Sequence, residues 1–153
     1  MANLSVVRTN LAAQINQYVS PALNVLANPL DQISPPCGLV LPAKNVAKYG
    51  RTLGGPYKSL GGTQLAATDF NVDVLLFVSH ATTTDRMQQT LDQWLGFEDD
   101  ESVVSVPMAI EKDLSLGGTV SWCVPVSCDS YGPIEYAGIS YFGARIHCEV
   151  SLE

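Results

Sequence analysis

The sequence is poor in charge: Asp, Glu, Lys and Arg make up 15% of its 153 residues, against about 25% in an ordinary soluble domain. It also lacks long apolar runs. The longest, from Val74 to Val78, has five residues, whereas a membrane-spanning helix needs about 20. The N-terminus has no basic flank before an apolar stretch, so we expect no signal peptide. A hydrophobic content of 46% excludes a disordered chain. We predict a single domain over residues 1–153 that hides surface in contacts with partners.

Basic residues are scarce as well, and they are unevenly placed. The chain has eight Lys and Arg and a net charge of −7. Residues 1–76 carry a charge of +2, and residues 77–153 carry a charge of −9. Proteins that bind duplex DNA gain affinity by neutralising phosphates with Lys and Arg. The composition therefore disfavours sequence-specific binding of nucleic acid.

Motifs for metal binding are missing. Four Cys and two His are present, but no C-x-x-C occurs, and Cys123 and Cys128 fall on opposite faces of a regular strand. His147 and Cys148 are adjacent, so they also point to opposite faces. Since a free Cys behaves as a small buried hydrophobic residue, we predict four reduced structural thiols, no metal and no cofactor.

No catalytic assembly is apparent either. Ser79-His80 lacks the G-x-S-x-G context of a nucleophile elbow, and nothing singles out a Cys–His pair. We interpret His80 as a half-buried, hydrogen-bonded residue at a strand end. His147 shares a polar strand face with Arg145 and Glu149, which favours a structural role. The sequence therefore predicts no catalytic residues and no enzyme.

Apolar spacing predicts two main helices. The first covers residues 4–19, with Asn3 or Ser5 available as its N-cap. The second begins after residues 82–85, whose threonines and Asp85 suit a helix start, and stops at Gly96.

Alternation of apolar and polar residues predicts the strands. The strongest is Phe70–His80, whose second face turns from polar to apolar, so its later half should be covered on both sides. Pro125 lacks an N–H, which places the strand over residues 119–128 at a sheet edge or at a bulge. Residues 130–133 are typical of a turn. Together with short strands at 23–27 and 38–41 and a final strand over 144–152, this order predicts an α+β fold. Its largely antiparallel sheet is packed by the two main helices.

A glycine-rich basic segment over residues 43–63 differs from its surroundings. It contains neither phosphate-binding glycine motif, and long connections in compact domains are often functional. We predict an extended loop or a hairpin arm that contacts a protein neighbour, since Tyr is enriched at interfaces. Its candidate interface residues are Lys44, Lys48, Tyr49, Arg51, Leu53, Tyr57, Lys58 and Leu60.

An acidic run follows the second helix and consists of Glu98, Asp99, Asp100 and Glu101. Four consecutive carboxylates cannot all converge on one hard cation, so a solvated acidic turn is the default interpretation.

Several short motifs, taken together in their order along the chain, resemble those of a known protein family, although no single motif is specific to it. The chain resembles the tail terminator, or tail-completion, proteins of long-tailed bacteriophages. The matching pieces are Leu4-Ser-Val-Val-Arg-x-x-Leu11-Ala12, Pro35-Pro-Cys-Gly-Leu-Val-Leu-Pro42, Phe70-x-Val-x-Val, Gln88-x-x-Leu-Asp-x-Trp-Leu95, Ser102-Val before Ala109-Ile110, Leu116-Gly-Gly118 and Tyr141-x-Gly143-Ala-x-Ile-x-Cys-Glu-Val150.

The resemblance implies a structural virion protein of the tail neck, assembled in the host cytoplasm. Such proteins form a homo-hexameric ring that caps the tail tube, ends its polymerisation and provides the joint to the head connector. The implied partners are further copies of the chain, the major tail tube protein and a head-closure or connector protein. Double-stranded DNA is contacted only in passage through the channel, and no membrane is involved. The acidic run 98–101 would then line the lumen or its rim, because a basic lining would retard the passing duplex.

Three alternatives stay open from the sequence. A head-closure, neck or tail-tube subunit of a phage would share the same kind of small fold. A small cytosolic enzyme with a Cys–His pair, or a binding module for a small ligand, would belong to a different functional class.

Overall fold

A computed structural model describes residues 3–28, 32–49, 67–80, 84–97 and 101–152. Within these ranges the chain has an α+β fold with three helices and a five-stranded, mostly antiparallel sheet, which confirms the predicted class. No helix in the described ranges is long and apolar enough to cross a membrane. The elements are α1 (Leu4–Tyr18), β1 (Asn24–Leu26), β2 (Cys37–Tyr49), β3 (Ala67–His80), α2 (Asp85–Leu95), α3 (Val106–Glu111), β4 (Trp122–Tyr136) and β5 (Ile139–Ser151).

Local signals set the helix ends. The side chain of Asn3 accepts a hydrogen bond from the Val6 N–H at 2.9 Å, so Asn3 is the N-cap of α1. Thr84 caps α2, and Gly96 ends it in the left-handed conformation with φ of 79°, where a side chain would be strained. Ser105 caps the short α3. Each cap satisfies backbone N–H groups that a helix start leaves without partners.

The strand order across the sheet is β1-β2-β3-β5-β4, in which only β1 and β2 pair in parallel. The three helices cover one face, and the main core between helices and sheet includes Leu11, Trp94 and Ile146. On the opposite face, Leu75 and Phe77 of β3 lie in a second buried cluster. The later half of β3 is therefore covered on both sides, as its alternation predicts.

The sheet contains one backbone approach that only glycine permits. Gly143 of β5 lies beside the bulge in β3 between Phe77 and Ser79. A Cβ built on Gly143 would fall on the carbonyl oxygen of Leu76 and 2.9 Å from the carbonyl carbon. Gly132 of β4 pairs with Gly143 and has a φ of 134°. This row of glycines lets three strands bend together at one place.

Residues 43–49 belong to β2 and not to a loop, which favours the hairpin alternative for the start of the predicted arm. Lys48 pairs with Asp69, and Tyr49 pairs with Ala67. A register shift leaves residues 43–46 bulged, and the Asn71 side chain donates to the Asn45 carbonyl at 2.7 Å within that bulge. The remainder of the predicted arm, residues 50–63, lies outside the described residues.

The strand β4 differs most from its prediction. Residues 130–133 are not a turn; they lie within β4, where Ser130 has a φ of 58° and the register shifts before Gly132. The chain reverses instead at Ala137-Gly138, both with positive φ. Pro125 does lie on an edge strand and beside a register shift, as predicted. Bulges turn the backbone of β4 while the strand stays paired. Turn-forming residues alone therefore do not tell a bulge within a strand from a turn that ends it.

Candidate functional site: a charged network and an apolar edge groove

The described residues hold only part of the predicted interface. Lys44 is exposed on β2, and Glu101 is exposed before α3. Lys48 and Tyr49 are placed by their backbone pairing with β3. The structure does not bring Lys44 and Glu101 together in one described cavity. The other predicted positions lie outside the described residues: Arg51, Leu53, Tyr57, Lys58, Leu60, Glu98, Asp99 and Asp100.

A network of charged side chains links the three neighbouring strands β3, β5 and β4. His147 of β5 pairs directly with Asp73 of β3, and its Nδ1 lies 2.6 Å from the Asp73 Oδ1. Its Nε2 lies 2.6 Å from Oδ2 of Asp129 on β4. Arg145, two residues earlier on the same strand face, approaches Asp73 at 3.9 Å. The alternation of β5 explains this arrangement, since residues 144, 146 and 148 are buried in the core on the other face.

The geometry favours the charged form of His147. Carboxylate oxygens accept hydrogen bonds and do not donate them, so both ring nitrogens must carry a proton to satisfy both partners. The hydrogen bond to Asp129, together with that to Asp73, raises the pKa of His147. The hydrogen bond from His147 likewise lowers the pKa of Asp129. Neither ring nitrogen is left to take a proton from a substrate, so His147 suits an electrostatic link between strands better than a general base.

This network opens onto a concavity in the exposed face of the sheet, with a volume of about 470 Å³. It runs from Lys44 and Asn45 on β2 to Ser127 on β4. Sequence reasoning found Arg145 and His147 on a polar face but missed their two carboxylate partners. The available signal was Asp73, a charged residue between Val72 and Val74 in the most apolar strand.

A second concavity lies at the outer edge of the sheet, between the helices α2 and α3 and the edge strand β4, and has a volume of about 280 Å³. We call it the edge groove. Val126 is 55% exposed there, Met108 on α3 is 48% exposed, and Glu111 supplies the only carboxylate of the lining. The groove is lined by Leu95, Pro107, Glu111, Pro125, Val126, Ser127, Cys128 and Ile146.

Exposed apolar side chains concentrate in this part of the chain. Among the described residues, six of the ten large hydrophobic side chains that are exposed fall between residues 97 and 131. They are Phe97, Met108, Leu114, Trp122, Val126 and Tyr131. Alternation alone groups Trp122 and Val126 on one face of a strand, yet the buried residue of this stretch is Cys123. Cys123 pairs with Val150 of the core, so the neighbouring Trp122 points to the other face, and Val126 lies within the register shift after Pro125.

The cysteines and the second histidine do not form a reactive pair. Cys37, Cys123 and Cys148 are buried, whereas Cys128 is exposed, which corrects the expectation of a buried structural thiol at that position. Burial raises the pKa of all four thiols, that of Cys123 to about 12. A nucleophilic Cys needs a lowered pKa. His80 is exposed, not half-buried, and stacks on Tyr141 with ring centroids 5.2 Å apart.

No group of three His, Cys, Asp or Glu side chains in the described ranges is arranged to hold a metal ion. No protein-family model matches the chain, and no curated protein matches its sequence significantly.

Proposed function

We propose that this chain is a structural virion protein of a long-tailed bacteriophage, a ring subunit of the tail neck. The ring caps the tail tube, ends its polymerisation and provides the joint to the head connector. The resemblance in motif order suggests this identity. The observation that carries the assembly role is the edge groove between α3 and β4, where Val126 is 55% exposed.

An exposed apolar surface of this kind is what a subunit contact requires. Burying apolar area contributes roughly 25 cal/mol for each Å² removed from water, and contiguous apolar patches on soluble domains mark interaction sites. The edge groove adds shape to the surface, because its concave wall between α3 and β4 can receive a side chain of a neighbour. The low content of charged residues, 15%, fits a chain whose surface is buried against other subunits.

The chemistry of the described residues supports a structural role over the alternative of a Cys–His enzyme. The raised pKa of Cys128, the exposed thiol, leaves it mostly protonated. His147 already donates to two carboxylates. An enzyme would need at least one of these groups poised for proton transfer or attack.

The oligomeric state tests the assembly role directly. The purified chain should elute as a ring with six times the 16.4 kDa mass of one chain in size-exclusion chromatography with light scattering. Val126→Asp places a charge in the edge groove and should weaken assembly by about tenfold or more, equivalent to about 1.4 kcal/mol. Val6→Asp, on the exposed side of α1, is the matched control and should leave assembly unchanged. A wild-type chain that stays monomeric at high concentration, with and without tail tubes, contradicts the proposal.

A tube assay separates the related phage roles. Polymerising tail tube protein from the same phage should stop growing when the ring is added, with the ring bound at one tube end in electron micrographs. A head-closure subunit would bind the connector and leave tube growth unaffected. An enzyme would instead show a hydrolytic activity that is lost when Cys128 is alkylated.

A further inference from the structure

Two exposed aromatic rings lie side by side just beyond the end of α2. Phe97 is 59% exposed, the largest exposed fraction among the large hydrophobic side chains of the described residues, and Tyr131 is 39% exposed. Their ring centroids are 6.2 Å apart, and their planes are tilted by 31°. We call these two residues the aromatic pair. Neither lines the sheet concavity or the edge groove, so the aromatic pair is a surface distinct from both.

Asp92 of α2 holds both rings in place. Its carbonyl accepts a hydrogen bond from the Phe97 N–H at 3.0 Å, which fixes the backbone just past the helix end. Its carboxylate accepts a hydrogen bond from the Tyr131 hydroxyl at 2.6 Å. The Tyr131 ring also meets the ring of Phe142 edge-on, with centroids 5.7 Å apart. The aromatic pair is therefore positioned before any partner binds, and binding loses little side-chain freedom.

The aromatic pair and its surroundings both favour a cation. The face of an aromatic ring carries partial negative charge and attracts cationic groups. The sequence around Phe97 is acidic, since residues 84–101 include six acidic residues and one basic residue. Among cationic side chains, Arg suits such a surface better than Lys, because its planar guanidinium stacks on aromatic faces and is more weakly hydrated than an ammonium.

We propose that the aromatic pair docks an arginine side chain of a partner protein. The guanidinium stacks on the exposed ring of Phe97, and the carboxylate of Asp92 supplies negative charge beside it. Tyr and Arg are the residue types that most often dominate the binding energy of protein interfaces. The inference goes beyond the proposed ring function and does not require it, because it concerns the surface of a single chain.

Two peptides of equal charge test the preference for arginine. One is a short, end-blocked Gly-Ser peptide that carries two arginines, and the other carries two lysines at the same positions. In NMR titrations the arginine peptide should bind about threefold more tightly or better, and it should shift the ring resonances of Phe97 and Tyr131. General attraction between a basic peptide and an acidic chain is the same for both peptides, so it does not produce this difference.

Two variants locate the site. Phe97→Leu keeps an apolar side chain but removes the ring, and it should abolish the difference between the peptides. Tyr18→Leu on α1 removes another exposed aromatic ring, 38% exposed, and should keep the difference. Thermal unfolding should show that both variants fold.

Three outcomes overturn the docking site. They are equal affinities for the two peptides, a preference for arginine that survives Phe97→Leu, and tighter binding of the same peptide with two leucines, which would indicate a purely apolar contact. A chain that prefers the arginine peptide through Phe97 but stays monomeric supports this inference and contradicts the proposed ring function.

Discussion

The link made by His147 gives a prediction that the structure specifies in magnitude and in pH dependence. His147→Gln keeps a side chain of similar reach that can donate one hydrogen bond, but it removes the positive charge. Two contacts of 2.6 Å are affected, one to Asp73 and one to Asp129. The Asp73 side chain is 11% exposed and that of Asp129 is 54% exposed, so the two contacts do not contribute equally.

The contact with Asp73 dominates the expected loss. A hydrogen bond to a charged group that is shielded from water contributes about 1.5–3 kcal/mol, and Arg145 still stands 3.9 Å from Asp73 to offset part of its removal. The contact with Asp129 is close to solvent, where an ion pair contributes only about 0.2–1 kcal/mol. We therefore expect His147→Gln to lower the free energy of unfolding by about 2 kcal/mol at pH 5.5.

The sign of the pH dependence follows from the direction of each shift. The pKa of His147 is raised from 6.5, so its stabilising contribution is complete below pH 6.5 and is lost as the pH rises through the raised value. The pKa of Asp129 is lowered from 3.8, so its contribution is present above pH 3.8 and is lost on further acidification. The link is strongest between these limits, and Lys44 and Arg145 are the basic residues that line the same concavity as His147.

Urea unfolding of wild type and His147→Gln at pH 5.5 and pH 9 measures the effect. The difference between the two proteins should shrink by at least half at pH 9, and NMR titration should place the pKa of His147 above 6.5. His80→Gln is the matched control, because the chain has only two histidines and His80 is exposed. An equal loss at both pH values, or titration of His147 below 6.5, would refute the reasoning.

Two further predictions concern the glycine row and the thiols. Gly143→Ala should lower the free energy of unfolding by about 3 kcal/mol or more, since its Cβ would meet the backbone of Leu76, which cannot move without separating two strands. Gly138→Ala is the control and should lower it by about 1 kcal/mol, because a Cβ there has open space and only a positive φ opposes it. Equal losses for the two variants in thermal unfolding would contradict the contact. In the folded chain before assembly, the thiol of Cys128 should react with a disulfide reagent within minutes, and the other three thiols only after denaturation. Fast reaction of a second thiol would show that the core opens there.

Local patterns predicted the parts of the fold that depend on neighbours in sequence. The period of two in β3 assigned its buried faces, because alternate side chains of a strand point in opposite directions. Thr84 and Gly96 mark the ends of α2 through backbone requirements that act within one helical turn. The two longer helices and the central strand were therefore predictable.

Features that depend on strand register were not predictable from the sequence. Asp73, Asp129 and His147 meet because β3, β4 and β5 pair at particular positions, although Asp73 is 74 residues from His147 along the chain. A bulge moves every later side chain of a strand to the other face, so the register shift after Pro125 pairs both Cys123 and Cys128 with core residues of β5, Val150 and Ile146, although strict alternation assigns the two cysteines to opposite faces.

The strand edges bear on how copies of this chain can meet. Edge strands invite pairing with other chains unless proline or bulges interrupt their rows of N–H groups. The free part of β2 has Pro42 followed by the bulge at residues 43–46, and β4 has Pro125, Pro133 and two register shifts. Both edges of the described sheet are thus unsuited to continuing the sheet into a neighbour. Contacts between copies in the proposed ring would then depend on side chains and not on strand pairing.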